Sequence, residues 1–286
     1  MTARRDAEEV LRLIADAPDA PIDMGAAALA LAVLDRPRAA PARYRIHLEE
    51  LAGDVRQSAI GCGDDLQSRA DALNGVIFGQ YGYDGDSLTY DDIQNANLIR
   101  VIDRRKGLPV ALGILYIHAA RAQGWDAVGL NFPGHFLVRL EGADGRLVID
   151  PFHKGIERGA AELRELLKLN MGLEAELSPH HYDAVSDRDI LIRLQNNIKT
   201  RNIQDGRLAA AMDNVRGMLL FAPEIASLWH EAGALNLQLG NFLAAIPRFP
   251  TPRSAPLAPP ELSAPHPFPT AQPPYQHRHE CRCRKR

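Results

Sequence analysis

The chain has 286 residues, of which 46% are hydrophobic and 24% charged, a composition typical of globular proteins. Its net charge of -3 and isoelectric point near 6.4 give no basic excess, which argues against nucleic-acid or anionic-membrane binding. We find no apolar stretch long enough to span a bilayer and no signal-peptide pattern, so we expect a cytoplasmic protein. The three cysteines, Cys62, Cys281 and Cys283, form neither a disulfide framework nor a zinc-binding pattern.

The first part of the chain is predicted to be helical. Apolar residues recur at spacings of three and four from Asp6 to about Leu73, and we assign residues 1–43 to N-terminal helices. Glycines and aspartates predict a loop over residues 79–86. A further helical pattern covers residues 91–103, and the basic run 104–106 that follows it is typical of a solvated helix end.

A buried helix followed by a small sheet is predicted next. Pro109 suits the first turn of a helix over residues 110–123, whose apolar residues share one face. Strands are predicted over residues 127–131, 136–140 and 147–149, with a hairpin turn at residues 142–145 joining the last two. The fold class is therefore α+β with a small antiparallel sheet.

His135 and Asp150 are the strongest candidates for functional side chains. The hairpin places His135 at the start of one strand and Asp150 at the end of its neighbour, so we expect the two side chains to meet. A carboxylate in that position can fix the tautomer of an imidazole. The structural alternatives are a histidine bonded to backbone in the Pro133-Gly134 turn and an aspartate that caps the turn at Pro151.

The C-terminal part carries an internal repeat. From Asp187 the pattern is helical, and residues 206–211 match residues 240–245 at an offset of 34, the period of tetratricopeptide repeats. We assign residues 187–246 to helices of this type. Because an independent array needs about three repeats, these helices are expected to pack on the preceding domain.

The composition changes abruptly after residue 246. Residues 247–286 hold 11 of the chain's 20 prolines and predict a disordered tail. Pro247 stands where the repeat offset requires the middle of a helix, so we hypothesise that the tail arose from a shift of reading frame.

Five blocks of sequence together resemble the bacterial SirB-type transglutaminase-like family, whose members typically carry tetratricopeptide helices after the core. The resemblance covers roughly residues 44–246, and we assign residues 44–183 to the transglutaminase-like domain. The blocks are residues 78–86, 90–98, 105–113, 132–136 and 149–152.

The resemblance implies a papain-like core in which a cysteine at the N-terminus of a buried helix acts with a histidine and an aspartate. His135 and Asp150 match the family's catalytic histidine and aspartate. The cysteine is expected near Pro109, Val110 or Ala111, and none of these residues is a nucleophile. The resemblance thus implies a vestigial or residual site.

Other candidates carry weaker signals. Cys62 lies outside the matched blocks, which favours a structural role over that of a relocated nucleophile. His153, His180 and His181 lack a recognisable set of metal ligands and are expected at the surface, so neither a metal nor a cofactor is predicted. The further candidates for lining a cleft are Tyr83, Asn95 and Arg139.

Two functions remain open from the sequence. The first is a noncatalytic protein that binds a protein or peptide partner through the former cleft or the repeat helices. The second is a cysteine-independent hydrolase or amidotransferase in which His135 and Asp150 act as a general base. No nucleic acid or membrane is expected as a partner in either case.

Overall fold

The computed structural model describes residues 2–17, 20–61, 63, 65–143 and 145–244. Within this part the chain is mostly helical, as predicted. Cys62 and the predicted tail lie outside the described residues. The α-helices are α1 (Thr2–Asp16), α2 (Met24–Asp35), α3 (Pro41–Ala59), α4 (Leu66–Asn74), α5 (Leu98–Arg104), α6 (Pro109–Arg121), α7 (Ala160–Met171), α8 (Asp187–Gln204), α9 (Leu208–Phe221) and α10 (Ala226–Gln238).

The described strands form one larger and one very small sheet. The larger sheet is antiparallel with the strand order β6-β5-β4-β3-β7, which confirms the predicted antiparallel arrangement, and β1 and β2 form a parallel pair. The strands are β1 (Asp84–Gly85), β2 (Lys106–Gly107), β3 (Asp126–Leu130), β4 (Val138–Gly142), β5 (Gly145–Asp150), β6 (Ile156–Glu157) and β7 (Ala184–Val185).

Helix α6 lies at the centre of the molecule. Every side chain in it except His118 and Arg121 is buried, because α2, α3, α8 and the sheet pack around it. A helix that is apolar on all sides can only be stable in such surroundings. Pro109 occupies its first turn, and the backbone N–H of the preceding Leu108 donates to the carbonyl of Asn95 at 2.8 Å.

The N-terminal and C-terminal helices share one hydrophobic core with α6. Helix α2 is almost entirely apolar and contacts α1, α3, α5, α6, α8 and α9. The buried residues of this core come from every helix between α1 and α6 and from α8, α9 and α10. The predicted domain boundaries remain predictions.

A second, smaller core lies on the other face of the sheet. There Leu130, Phe132 and Leu137 pack against the apolar side of α7. Because side chains alternate along a strand, Val138 and Leu140 of β4 join the main core, whereas Arg139 shares the face of Leu137. One face of the sheet therefore packs against the main core, and the other packs against the smaller core with α7.

Several elements differ from the prediction. The helix predicted over residues 91–103 is a 3-10 turn (Ile93–Ala96) followed by α5, because the side chain of Asn97 accepts from the N–H of Arg100 and caps a new helix. A π-helical turn (Gly75–Gln80) occupies the start of the predicted loop. The elements β6, α7 and β7 were not predicted. Among the described residues, no helix is both long and apolar enough to cross a membrane.

Candidate functional site

The turn that carries His135 depends on glycine. Gly134 has a φ of +70°, and a Cβ atom there would lie 2.8 Å from Asn170 of α7. Both the left-handed backbone and the close neighbour exclude larger residues. This turn brings His135 to the end of the sheet just before β4.

Arg193 of α8 binds the backbone of the same turn. Its Nη2 donates to the carbonyl of His135 at 2.7 Å, and both terminal nitrogens lie 3.4 Å from the carbonyl of Phe132. Its guanidinium also lies 5.5 Å from the ring centre of Phe136. A C-terminal helix therefore fixes the backbone of the site.

Asp150 meets His135 across the β4–β5 hairpin. Val138 pairs with Ile149, so the start of β4 lies beside the end of β5. His135 Nε2 lies 2.9 Å from Asp150 Oδ1, which also accepts from the N–H of Phe152 at 3.1 Å. Both residues are buried, and Asp150 is 0% exposed.

Two further residues bind the other oxygen of Asp150. Its Oδ2 lies 2.8 Å from His153 Nδ1 and accepts from Arg158 Nε and Nη2 at 3.1 and 2.9 Å. Burial opposes ionisation of Asp150, but the hydrogen bonds from His135 and His153 outweigh it and hold the pKa of the carboxyl well below its usual range. Asp150 is therefore an anion with bonding partners on both oxygens.

The bonds to Asp150 define the tautomers of both histidines. An ionised carboxylate only accepts, so His135 Nε2 and His153 Nδ1 carry the protons in these bonds. His135 Nδ1 has no hydrogen-bond partner among the described residues. This nitrogen can accept a proton from, or bind, a group that enters the site.

His153 was expected at the surface, yet its side chain is only 33% exposed and contacts the site. One ligand atom each from His135, Asp150 and His153 lies within 4.8 Å of the others, a grouping that could hold a metal ion. Such an ion would compete for the Asp150 oxygens with the N–H groups of both imidazoles and with the Arg158 guanidinium. The donor set therefore suits an ion only poorly.

The predicted nucleophile position lies at the start of α6. Pro109, Val110 and Ala111 are buried there. Helix α6 packs against the turn Pro151–His153, and its Gly113 lies so close to Phe136 that a Cβ atom would come within 2.3 Å of that ring. The N-terminal half of α6 thus adjoins the histidine and aspartate, and it presents an apolar first turn.

Tyr83 and Asn95, two predicted cleft residues, are fully buried in hydrogen-bond networks. The Tyr83 hydroxyl accepts from Arg105 Nη1 at 2.6 Å and lies 2.7 Å from His47 Nε2. Burial and the charge of Arg105 lower the pKa of His47 to about 4, so His47 is neutral at pH 7. Asn95 Nδ2 donates to the carbonyl of Thr89 at 2.6 Å.

Two arginines of the basic run, Arg104 and Arg105, are half-buried and were wrongly expected to be solvated. Arg104 donates to Asn95 Oδ1 at 2.7 Å and to Asp86 Oδ2 at 2.9 Å. Arg105, in the left-handed conformation, donates to Tyr83 and to His47. Because these acceptors are buried, both guanidiniums point inward. Asn95, which accepts from Arg104, also accepts from the N–H of Leu108 and so contacts the start of α6.

Arg139, the third cleft candidate, lies on the face of the sheet opposite α6. It is bonded to Glu141 and to the carbonyl of Tyr182. None of the three cleft candidates forms a hydrogen bond with His135 or Asp150 among the described residues. A cleft role for them stays a prediction.

His180 and His181 lie away from the pair. His180 is largely exposed and bonds Asp183 and Asn131, each at 2.8 Å, and the ring of His181 packs edgewise on Phe132. The sequence reasoning missed His153 and Arg158 as partners of Asp150. The available signal was the histidine three residues after Asp150, across the turn at Pro151.

A central buried helix, an antiparallel sheet and a buried histidine–aspartate pair at the sheet's end define a mostly helical α+β protein with one candidate site. The chain belongs to the transglutaminase-like superfamily, since the family model of that description matches residues 42–196.

Relatives occur in bacteria and in animals. A UPF0162 protein of Xylella fastidiosa is 34% identical over 178 residues, covering 61% of this chain and 63% of that protein. A UPF0162 protein of Pseudomonas aeruginosa is 30% identical over 210 residues, covering 73% and 75%. Human F-box only protein 21 is 30% identical over 165 residues, covering 54% of this chain and 25% of that protein.

The chain spans just under two thirds of the length of the Xylella fastidiosa relatives it matches. No solved structure matches it significantly.

Proposed function

We propose that this protein is a noncatalytic, SirB-type member of its superfamily that binds a peptide or protein partner. The observation that carries the proposal is the apolar first turn of α6 beside an intact histidine–aspartate pair. Pro109, Val110 and Ala111 offer no atom that could attack a carbonyl. Loss of the nucleophile from such a set leaves only residual rates.

The C-terminal helices supply a second reason to propose binding. Helices α8 and α10 end alike, with Gly206 and Gly240 at φ values of +71° and +75°. In both, the next N–H donates five residues back, from Arg207 to Asn202 and from Asn241 to Asn236. Equal caps 34 residues apart support tetratricopeptide-type packing, which commonly serves peptide binding.

A panel of activated esters and amides tests the absence of catalysis. We expect the wild-type protein to turn over none of them faster than the double variant His135→Ala, Asp150→Asn. Turnover that disappears in His135→Ala but persists in the control His180→Ala would refute the proposal.

A peptide-display selection tests the binding function. Peptides selected on the wild-type protein should bind His135→Ala with unchanged affinity, because binding does not require the imidazole to transfer a proton. A complete absence of selected peptides, or binding that also occurs with urea-unfolded protein, would count against the proposal.

The alternative function is hydrolysis by a general base. It is favoured by the fixed tautomer of His135 and by its Nδ1, which has no partner among the described residues. A rate of hydrolysis that is lost in His135→Gln but kept in His153→Gln would establish this alternative.

A further inference from the structure

A cavity of about 640 Å³ lies on the face of the sheet that carries Arg139, away from α6. Its walls come from β4, β5, the start of α7 and the segment before β7. The volume falls within the range of small-molecule sites, roughly 300–1,000 Å³. It is separate from His135 and Asp150, which are not among its lining residues.

Three arginines line this cavity, and two of them form no ion pair with any described residue. Arg139 is ion-paired with Glu141 and tied to the carbonyl of Tyr182, so its position is fixed and its charge is balanced. Arg146 and Arg164 are exposed, and neither forms an ion pair or hydrogen bond with any residue in the described part of the chain. The acidic residue of the lining, Asp183, is bonded to His180.

The rest of the lining offers apolar contact. Leu177 and Tyr182, both partly buried, pack against the smaller core on this face, and Pro179 and Ala184 complete the wall. A site that joins cationic forks to an apolar wall suits a molecule with an anionic group and an organic body.

We propose that this cavity binds a small molecule that carries a phosphate group. Planar guanidinium groups match the oxygens of phosphates and carboxylates. A phosphate monoester carries nearly two negative charges at neutral pH and balances Arg146 and Arg164 together, whereas a carboxylate balances one of them. The cavity thereby adds a second ligand site to the partner-binding role proposed above, and it does not depend on that role.

Calorimetric titration of the full chain with phenyl phosphate, inorganic phosphate and benzoate tests the inference. We expect phenyl phosphate to bind with a Kd below about 1 mM. Inorganic phosphate, which lacks the organic body, should bind more weakly, and benzoate more weakly still. Equal affinity for benzoate, or no heat with phenyl phosphate, would overturn the proposal.

Substitutions locate the site. Arg146→Ala and Arg164→Ala should each weaken phenyl phosphate binding about tenfold, because each removes a charge-assisted hydrogen bond. Arg45→Ala, an exposed arginine on α3, is the matched control and should bind as the wild type does. Since all three residues are exposed, the variants should fold equally well. If the double variant Arg146→Ala, Arg164→Ala binds like the control, the assignment of the cavity is wrong.

Discussion

Asp150 is the residue on which the candidate site depends. It binds two imidazoles, a guanidinium and a backbone N–H in a fully buried position. We expect Asp150→Asn to lower the free energy of unfolding by roughly 3 kcal/mol at pH 7, because it leaves Arg158 partly buried without its anion. Urea unfolding measures this loss. The exposed Asp126→Asn is the control, and an equal effect of both substitutions would contradict the prediction.

The same carboxylate predicts a pH dependence. Because the pKa of Asp150 is lower in the folded than in the unfolded protein, its contribution to stability is complete above the unfolded value of about 3.9 and is lost as the pH falls toward the folded value. The difference in unfolding free energy between wild type and Asp150→Asn should therefore shrink as the pH falls from above to below about 4. Urea titrations across this range measure it, and a difference that grows on acidification would show the opposite sign.

The sequence predicts one of the three side chains that bind Asp150. The pairing of His135 with Asp150 follows from a hairpin with a recognisable turn, because pairing in a hairpin fixes which residues are opposite. His153 and Arg158 follow a 3-10 turn and a two-residue strand, which leave no periodic pattern. Likewise, a sequence pattern alone does not distinguish a solvated Arg105 from one that bonds a buried tyrosine.

Among the elements, α6 determines the shape of the site, and Gly113 determines how closely α6 approaches the sheet. A Cβ atom there would lie 2.3 Å from the Phe136 ring, in a core that cannot yield far. Although alanine favours helices by up to about 1 kcal/mol, we expect Gly113→Ala to destabilise the protein by roughly 1 to 2 kcal/mol through overpacking.

Gly53 in α3 provides the matched control, because a Cβ atom added there would meet no described atom within 4 Å. Gly53→Ala should raise the unfolding free energy by up to about 1 kcal/mol. Thermal and urea unfolding of both variants separate packing from helix propensity. A stabilised Gly113→Ala would mean that α6 can move away from the sheet.

Element types were predictable where the periodicity is long. Helices α6 and α8 show clear patterns, and β3, β4 and β5 are separated by turn residues. The burial of α6 on every side was not evident from the pattern, since it results from α2 and α8 packing from distant parts of the chain. Strands of two residues, such as β6 and β7, are too short to show a pattern, and they form because they pair with β5 and β3 in the sheet.

At the scale of the whole molecule, the C-terminal helices are joined to the site by side chains of α8. Arg121 of α6 forms a bidentate ion pair with Asp187 at 2.7 and 2.9 Å, and Arg193 holds the carbonyls before β4. Through these contacts the C-terminal helices pack on the preceding part of the chain, as the sequence predicts. Arg193 therefore connects α8 directly to the backbone of His135.

Arg193→Met tests this connection, because methionine keeps much of the length and apolar contact of the side chain but cannot donate to the carbonyls of Phe132 and His135. We expect a loss of about 2 kcal/mol in unfolding free energy, the typical contribution of a hydrogen bond from a charged donor. We also expect changed chemical shifts of the His135 ring protons, measured by NMR at constant pH. The control is Arg216→Met on α9, whose side chain is 62% exposed. If Arg193→Met matches this control in both measurements, α8 supports the fold without acting on the site.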